Sequence, residues 1–419
     1  MIADGYPPEL GGLESHVSEL AGFLVRRGHR VTVVTRTDPF LEVKSETDGV
    51  IVYRTMDIPR PHRADSFIRA VLSIRAALRT FASHYDLVHY HGMFTDAFMG
   101  LRSSMPPLIL TVHGHFLSCP RYTRTAPDGS MCAGSPSFFR CTACMSKGGS
   151  LRALSAPLRA GLATAIQKGR VRGAREFEHI IYVSQSVKQH THNLVPASRS
   201  SVIHNFPPPI RESADLTAAG LEQMGVHSSA FLVLFSARLS PEKGLVNLLR
   251  AWSLFRPRHD DAFLIITGSG PQSSIAELAS SNPGTRTVFL GRVEKGILNA
   301  LMQRANVFVV PSVWEEAGPI VALEALSVGT SVIGSNLGGI PEIMQTCSGC
   351  LVFDPFDPES IADSLELAYS HRHEKRSAAL DQSYMLEYVG RAVEAVYQKA
   401  VRRRCGLRRR KEEGLRVTE

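Results

Sequence analysis

The sequence predicts an α/β protein built from two doubly wound, parallel-sheet domains, and three observations carry that expectation. Short runs of continuous Val, Ile and Leu recur along the chain, separated by segments with apolar residues at helical spacing. At 419 residues the chain exceeds one ordinary core, so two domains are the default. Midway, Asn205 and the prolines Pro207, Pro208 and Pro209 break the alternation with a stiff connector.

The elements follow in order. In "GGLESHVSELAGFLVRRGHRVTVVT", Val17, Leu20, Leu24 and Val25 recur at helical spacing before "VTVVT" reads as a buried strand. "SFIRAVLSIRAALRTFASH" is helical, "DLVHYHG" a strand ending in polar residues, and "PLILTVHGH" another strand. "HIIYVS" and "SVIHNF" flank the polar helix "SVKQHTHN". The second series runs through the strands "FLVLFSARL", "FLIITGSGP", "RTVFLGRV", "NVFVVPS", "TSVIGSN" and "GCLVF", with amphipathic helices between them. The helix "SYMLEYVGRAVEAVYQKAVRRR" closes the fold. The expected organisation is a first domain over 1–205 with a cysteine-rich insertion at 116–148, and a second over 206–383. A terminal helix over 384–404 is expected to cross back to the first domain, ahead of a basic tail over 405–419.

Composition describes a soluble globular chain, 44% hydrophobic and 21% charged. No apolar run approaches the ~18 residues that span a bilayer, and no signal peptide opens the chain. The expectation is a cytoplasmic enzyme, or one peripheral to the inner face of the membrane. The net charge of +8 is concentrated in two segments. The tail Val401–Glu419 holds +5, and Ser146–Arg175 carries seven cations and no acid. These are either two solvated surfaces or contacts for anionic lipid. Nucleic acid is disfavoured, because neither segment interleaves aromatics with its charges.

"FSARLSPEKGL" places Arg238 just past a strand and Lys243 beside a helix start. The pair is either two surface cations or a diphosphate site at a helix N-terminus, with the Arg fork and the mobile Lys charge as complementary donors. In "PSVWEEAGPIVALEALSVGT", Pro319 reads as the first helical residue, Glu316 sits in the turn and Glu324 lies inside the helix. The apolar neighbours of Glu324 argue that it is buried. Carboxylates only accept hydrogen bonds, so Glu316 suits a sugar and Glu324 a ribose diol. Cations for phosphate beside acceptors for hydroxyls describe a nucleotide-sugar. "ITGSGP" lacks the third glycine and the acidic partner of a dinucleotide fingerprint, so a close backbone approach to the nucleotide base is preferred at Gly268 and Gly270.

With these motifs in order over nearly all of residues 5–400, the chain resembles a retaining glycosyltransferase of family 4 (group 1) with the GT-B fold, two Rossmann-like domains facing a central cleft. The resemblance rests on "YPPELGGLESHVSELAGFLVRRGHRVTVVT", "DLVHYHG", "TVHGH", "IIYVSQSVKQH", "ARLSPEKGL", "ITGSGP" and "PSVWEEAGPIVALEALSVGTSVIGSNLGGIPEI". It implies that Glu316 and Glu324 match the family's paired-glutamate motif and that Arg238 and Lys243 match its diphosphate-binding pair. Gly11 and Gly12 match a glycine-rich loop whose backbone approaches donor phosphate or acceptor. His113 aligns with the histidine bordering the transferred sugar, and Gly268 and Gly318 complete the donor-side set. The implied reaction uses a UDP- or GDP-linked sugar and a glycan or lipid-linked acceptor, without a required metal. A nucleotide-sugar 2-epimerase of the same fold and a catalytically inactive relative are the alternatives. The family begins with a strand before "YPP"; here only "MIADG" precedes Tyr6. Either the start lies upstream or the first domain loses a central strand.

Cys119, Cys132, Cys141 and Cys144 fall in one 26-residue stretch. They fit a small structural zinc knuckle, with unligated thiols, disulfides or an iron–sulfur cluster as alternatives. Cys347 and Cys350 read as small buried hydrophobes. Ser155 and Pro157 look like a helix start, with Leu158, Leu162 and Ile166 in one stripe. That stripe either packs on its own domain or presents Arg159 and Lys168 to a lipid surface.

Overall fold

The computed structural model describes residues 1–9, 11–58, 64–126, 129–132, 134, 137–146, 150–191, 194–210, 222, 226–372 and 379–416. The side chains of 64–66, 145–146, 150–157, 159 and 406–416 lie outside that description, so the expectations placed on Arg159, Ser155, Pro157 and the tail's charges fall there. The chain forms two compact units, Met1–Asn205 with Leu386–Glu419, and Phe206–Met385.

The first unit holds an eight-stranded sheet in the order β3-β4-β2-β1-β5-β6-β7-β8. Its strands are β1 (Ile2–Ala3), β2 (Thr32–Arg36), β3 (Lys44–Thr47), β4 (Val50–Met56), β5 (Val88–His91), β6 (Leu108–Val112), β7 (His179–Tyr182) and β8 (Ser200–Val202). The strand expected to be missing is present as β1. Ile2 pairs with both Val34 and Tyr90, and Ala3 with His91, so the central position is filled and its backbone groups are paired. All neighbouring pairs are parallel except β3 with β4. That hairpin is absent from the sequence reading. Its signal is Asp48-Gly49, both at positive φ (52° and 76°), as a two-residue turn of type I′ requires.

Helices α1 (Gly12–Arg26), α2 (Ala64–Phe81), α3 (Phe138–Ser146), α4 (Ser150–Ala174) and α5 (Gln185–Gln189) connect the strands. On α1, Val17, Leu20, Ala21 and Leu24 are buried, as the helical spacing requires. On α4 the buried face is Ala160, Thr164, Gln167, Arg170 and Ala174, while Leu158 is 80% exposed and Leu162 50%. Of the stripe Leu158, Leu162 and Ile166, the first two therefore face outward and Ile166 is half-buried. At Gly173 the helix lies against the Thr95 carbonyl and leaves no room for a side chain.

The second unit is a six-stranded parallel sheet in the order β11-β10-β9-β12-β13-β14. Its strands are β9 (Phe231–Ser236), β10 (Ala262–Thr267), β11 (Thr287–Phe289), β12 (Val307–Val310), β13 (Ser331–Ser335) and β14 (Leu351–Phe353). Successive residues of β9 feed opposite cores. Leu232 and Leu234 join Phe308, Ala322 and Leu326 on one face; Phe231, Val233 and Phe235 join Trp252, Phe255 and Leu365 on the other. The covering helices are α6 (Leu245–Phe255), α7 (Ser273–Ser281), α8 (Lys295–Arg304), α9 (Ile320–Ser327), α10 (Ile340–Met344) and α11 (Pro358–Ser370).

Helix α12 (Leu386–Arg416) belongs to the first unit and packs on α1. It continues through the segment expected to be a separate tail. Glu394 meets Arg27 at 3.2 Å and His29 at 3.0 Å, and Tyr397 meets His89 at 2.6 Å.

Candidate active site

In the second unit, three loops at strand carboxyl ends meet. The β9–α6 loop carries Arg238, Glu242 and Lys243. Gly244 sits at φ 78°, and a Cβ there would lie 1.7 Å from the Pro311 carbonyl oxygen, so only glycine lets this loop press against the end of β12. The Val313 amide donates to the Glu242 carbonyl at 3.0 Å and joins the two loops. Lys243 Nζ then donates to Glu316 Oε1 at 2.5 Å, and Ser312 Oγ donates to the same oxygen at 2.8 Å. Lys243 also stands 5.4 Å from the centre of the Trp314 ring. Burial alone would push the Glu316 carboxyl up, but the Lys243 ammonium and the hydrogen bonds from Lys243 and Ser312 outweigh it and hold the group below its ordinary value.

Glu324 is buried inside α9, as its apolar neighbours require. Its carboxylate accepts from Lys295 at the start of α8. Here burial dominates and raises the carboxyl, with Lys295 offsetting only part of the effect. Pro319 is the N-cap of α9 and not its first helical residue. Arg238 is exposed and pairs with Glu242 at 2.6 Å. Gly318 lies half-buried in the β12–α9 turn. Gly268, at φ 122°, approaches backbone within its own unit: a Cβ there would meet the Ala237 carbonyl oxygen at 1.8 Å. The Leu239 amide donates to the Ser269 carbonyl at 3.0 Å, so the "ITGSGP" glycines brace the Arg238 loop.

In the first unit, Gly11 caps α1 and Gly12 begins it, both exposed. The carboxylate of Glu14 folds back onto this helix start, where a Cβ on Gly11 would meet its oxygen at 2.2 Å. An acid therefore already occupies the positive end of the helix. His113 follows β6, and its Nε2 lies 3.1 Å from His91 Nδ1 at the end of β5. The His16 ring, from α1, meets the His113 ring edge-on at 4.9 Å between centres. His89 lies tilted against His91 at 3.9 Å between centres, with its own nitrogens bonded to Tyr397 and Thr111 at 2.6 and 2.7 Å. Burial lowers His113 to about 4 and holds His16, His89 and His91 well below the ordinary imidazole range, so all four are neutral.

Sequence reasoning missed Lys295, Ser312, His16 and His91. The signal for His91 was present: "VHYHG" and "TVHGH" end neighbouring strands with histidines, and β5 and β6 pair in register. No periodicity signals Lys295, which reaches Glu324 only once α8 and α9 pack.

The cysteines form no disulfide, which leaves the unligated alternative open beside zinc. Cys119, Cys132, Cys141 and Cys144 are free thiols, and burial raises those of Cys119 and Cys144. Among the described residues the ligand atoms that converge within 4.8 Å are those of His16, His91 and His113, and the cysteines form no such group. The zinc expectation for the insertion gains no support. Cys141 and Cys144 ride on α3, Cys119 follows a short turn after β6, and the Cys144 thiol is close enough to Cys119, Cys132 and Cys141 to feel their charge. Cys347 is buried and Cys350 half-buried just before β14.

Residues 10–208 match the model "Glycosyltransferase Family 4", and residues 222–384 match "Glycosyl transferases group 1". The chain is 30% identical over 376 residues to an uncharacterised glycosyltransferase of Methanocaldococcus jannaschii, covering 86% of each. It is 26% identical over 366 residues to the alpha-maltose-1-phosphate synthase of Mycobacterium tuberculosis, covering 82% of this chain and 81% of the relative. Among solved structures, a sucrose-phosphate synthase from Thermosynechococcus elongatus superposes with a TM-score of 0.66 at 19% identity, covering 99% of both chains. An Anabaena protein solved with UDP superposes at 0.65 with 17% identity, covering 95% and 98%. At such identities the structures speak to the fold alone.

Proposed function

This chain belongs to the family 4, group 1 glycosyltransferases of GT-B fold, and from that premise we propose retaining transfer of a sugar from a nucleoside diphosphate to an acceptor hydroxyl in glycan, polysaccharide or glycolipid synthesis. One observation carries the assignment of residues: Lys243 is held at a helix start, 2.5 Å from a buried Glu316 that Ser312 also fixes. A cation so oriented is preorganised for a diphosphate. Sugar-transferring relatives, among them a glycogen synthase of Mycobacterium tuberculosis, favour transfer over the 2-epimerase alternative. The Anabaena neighbour, solved with UDP and with UDP-glucose, supports a nucleotide-sugar donor.

In this reading the acceptor oxygen bonds to the anomeric carbon on the face from which the diphosphate departs. The carbon–oxygen bond to the phosphate breaks, its electron pair leaves with the diphosphate, and the acceptor proton passes to a departing phosphate oxygen. Arg238 and Lys243 stabilise the growing negative charge. Glu316 accepts from sugar hydroxyls and Glu324 from the ribose diol, with Lys295 holding the Glu324 carboxylate in place. His113, kept neutral, borders the transferred sugar, and Gly318 provides close backbone beside Glu316; Gly268 acts indirectly by bracing the Arg238 loop, and Glu14 holds the helix start at Gly11 and Gly12. Thermal shift across UDP- and GDP-sugars, followed by turnover with the best donor, tests this. Lys243→Ala is expected to lower kcat by at least about a hundredfold; retained turnover overturns the assignment.

A second feature favours a membrane-bound acceptor. Phe139 is 83% exposed, Leu158 80% and Leu162 50%, on packed helices that also present Lys168 and Arg172 to solvent. Among the described residues no helix is long and apolar enough to cross a membrane. We read this face as docking a cytoplasmic enzyme onto anionic lipid. Sedimentation with phosphatidylglycerol vesicles but not with phosphatidylcholine vesicles is the expected result, and equal recovery with both refutes it.

A further inference from the structure

We infer that Glu242 is a positioning residue for Arg238, aiming its guanidinium at the donor diphosphate without touching the donor itself. The role rests on the reading of Arg238 as a diphosphate ligand given above. In that reading an acid on the β9–α6 loop is out of place, because a carboxylate beside a diphosphate repels it unless its charge is engaged elsewhere. Here it is engaged: Arg238 Nη2 donates to Glu242 Oε1 at 2.6 Å.

The two partners are unequal. The Glu242 side chain is 25% exposed and that of Arg238 68%. Burial alone would raise the Glu242 carboxyl, but hydrogen bonds from Ser240 and from its own amide, with the Arg238 guanidinium, outweigh it and hold the group below its ordinary value. Ser240 is itself buried. The Glu242 carbonyl accepts from the Val313 amide at 3.0 Å, which ties this residue to the turn that carries Glu316. The acid is therefore the fixed member and the arginine the mobile one, so orientation passes from Glu242 to Arg238. A guanidinium carries its N–H donors in one rigid plane. Holding it at Nη2 sets that plane and leaves other donors for phosphate oxygens. A surface pair of no consequence is the competing account. It explains neither the hydrogen bonds that fix the acid nor its link to the Glu316 turn.

Glu242→Gln removes a negative charge from the loop and also frees the fork. The first effect strengthens attraction for a diphosphate and the second weakens its alignment, so they oppose each other in donor binding. Alignment matters most in the transition state. In the full-length chain kcat is expected to fall about tenfold while the donor KM rises less than about twofold, with melting like the parent. Arg238→Lys keeps the charge but has no fork to aim, so in that background Glu242→Gln should cost no further kcat. An unchanged kcat in the single variant, or the same loss in both backgrounds, overturns the inference. A second readout needs no donor. In 15N-arginine-labelled chain the Arg238 side-chain signal, identified by its loss in Arg238→Lys, should show hindered guanidinium rotation in the parent and averaging in Glu242→Gln. Identical Arg238 signals in the two sink the role of Glu242 alone, whereas turnover retained in Lys243→Ala sinks the transfer assignment itself.

Discussion

The strand-end clusters of the two units handle ionisable groups in opposite ways. In the second, buried carboxylates are met by cations: Lys243 and Ser312 hold Glu316 below its ordinary value, and Lys295 offsets part of the rise that burial causes at Glu324. In the first, buried histidines give up their protons and pack as neutral rings, four of them within one cluster between α1, β5 and β6. Pairing leaves a fixed field that a phosphate can exploit; neutralisation leaves lone pairs and hydrogen-bond donors without net charge. The contrast teaches that one chain can prepare a charged half and an uncharged half from the same kind of strand end, according to whether a counter-ion is built beside the group.

The largest test of the contrast lies at Lys243. Removing one partner of a buried pair strands the other, so Lys243→Ala is expected to destabilise the second unit by about 3 kcal/mol besides abolishing turnover. Replacing both members, Lys243→Met with Glu316→Gln, should recover most of that stability and none of the activity. Urea unfolding beside a donor assay separates the two effects. If the double variant is no more stable than Lys243→Ala, the charges are not a pair. Next in size, Gly244→Ala forces a Cβ onto the Pro311 carbonyl at positive φ and should cost roughly 2–3 kcal/mol in the second unit. An unchanged unfolding midpoint would mean that the two loops do not touch.

Acid separates the units by a smaller amount. His179, in β7, is lowered to about 4, first by burial and then by Lys399, Arg403 and Arg199. Its folded pKa lies below the unfolded value near 6.5, so the unfolded state binds more protons between the two. The stability it provides is complete above about 6.5 and is lost as pH falls toward 4, with a slope of up to roughly 1.4 kcal/mol per pH unit. Glu316 is likewise depressed, from a carboxylate value of 4.5, so its contribution is lost only below that pH. His113 and its three neighbouring rings act in the same sense, and Asp4 and Asp96, raised to about 6 by burial, in the opposite one. Hydrogen exchange resolved by unit should show the first unit loosening before the second, and His179→Gln should lessen the first unit's slope by one histidine's share without abolishing it. Simultaneous loosening would remove the distinction. The smallest expected effect is at Tyr397→Phe, which deletes one buried hydrogen bond to His89 and should cost the first unit about 1 kcal/mol. Its unfolding midpoint should shift while that of the second unit stays put.

Much of this was legible in the chain. The alternation of apolar runs and amphipathic helices named both sheets, because a parallel strand buried on two faces must be apolar throughout. Glu324 could be placed inside from its neighbours alone. Other features were not legible for identifiable reasons. The central strand β1 is two residues long, too short for any period to register, and is held by its neighbours Val34, Tyr90 and His91. The β3–β4 hairpin carried its Asp-Gly turn but flanks it with the polar strand Lys44–Thr47. On α4 the apolar stripe suggested a packed face, yet the buried positions are Ala160, Thr164, Gln167, Arg170 and Ala174, and Leu158 faces outward.

By itself the sequence determined the class of fold, the glycosyltransferase family and the residue types at each strand end, because burial pattern and turn chemistry are local properties. Which groups meet was decided only by tertiary structure. Lys295 reaches Glu324 across 29 residues, Lys243 reaches Glu316 across 73, and Tyr397 reaches His89 across 308. Contacts over such separations depend on how helices and loops seat on a twisted sheet, and no period along the chain encodes that seating.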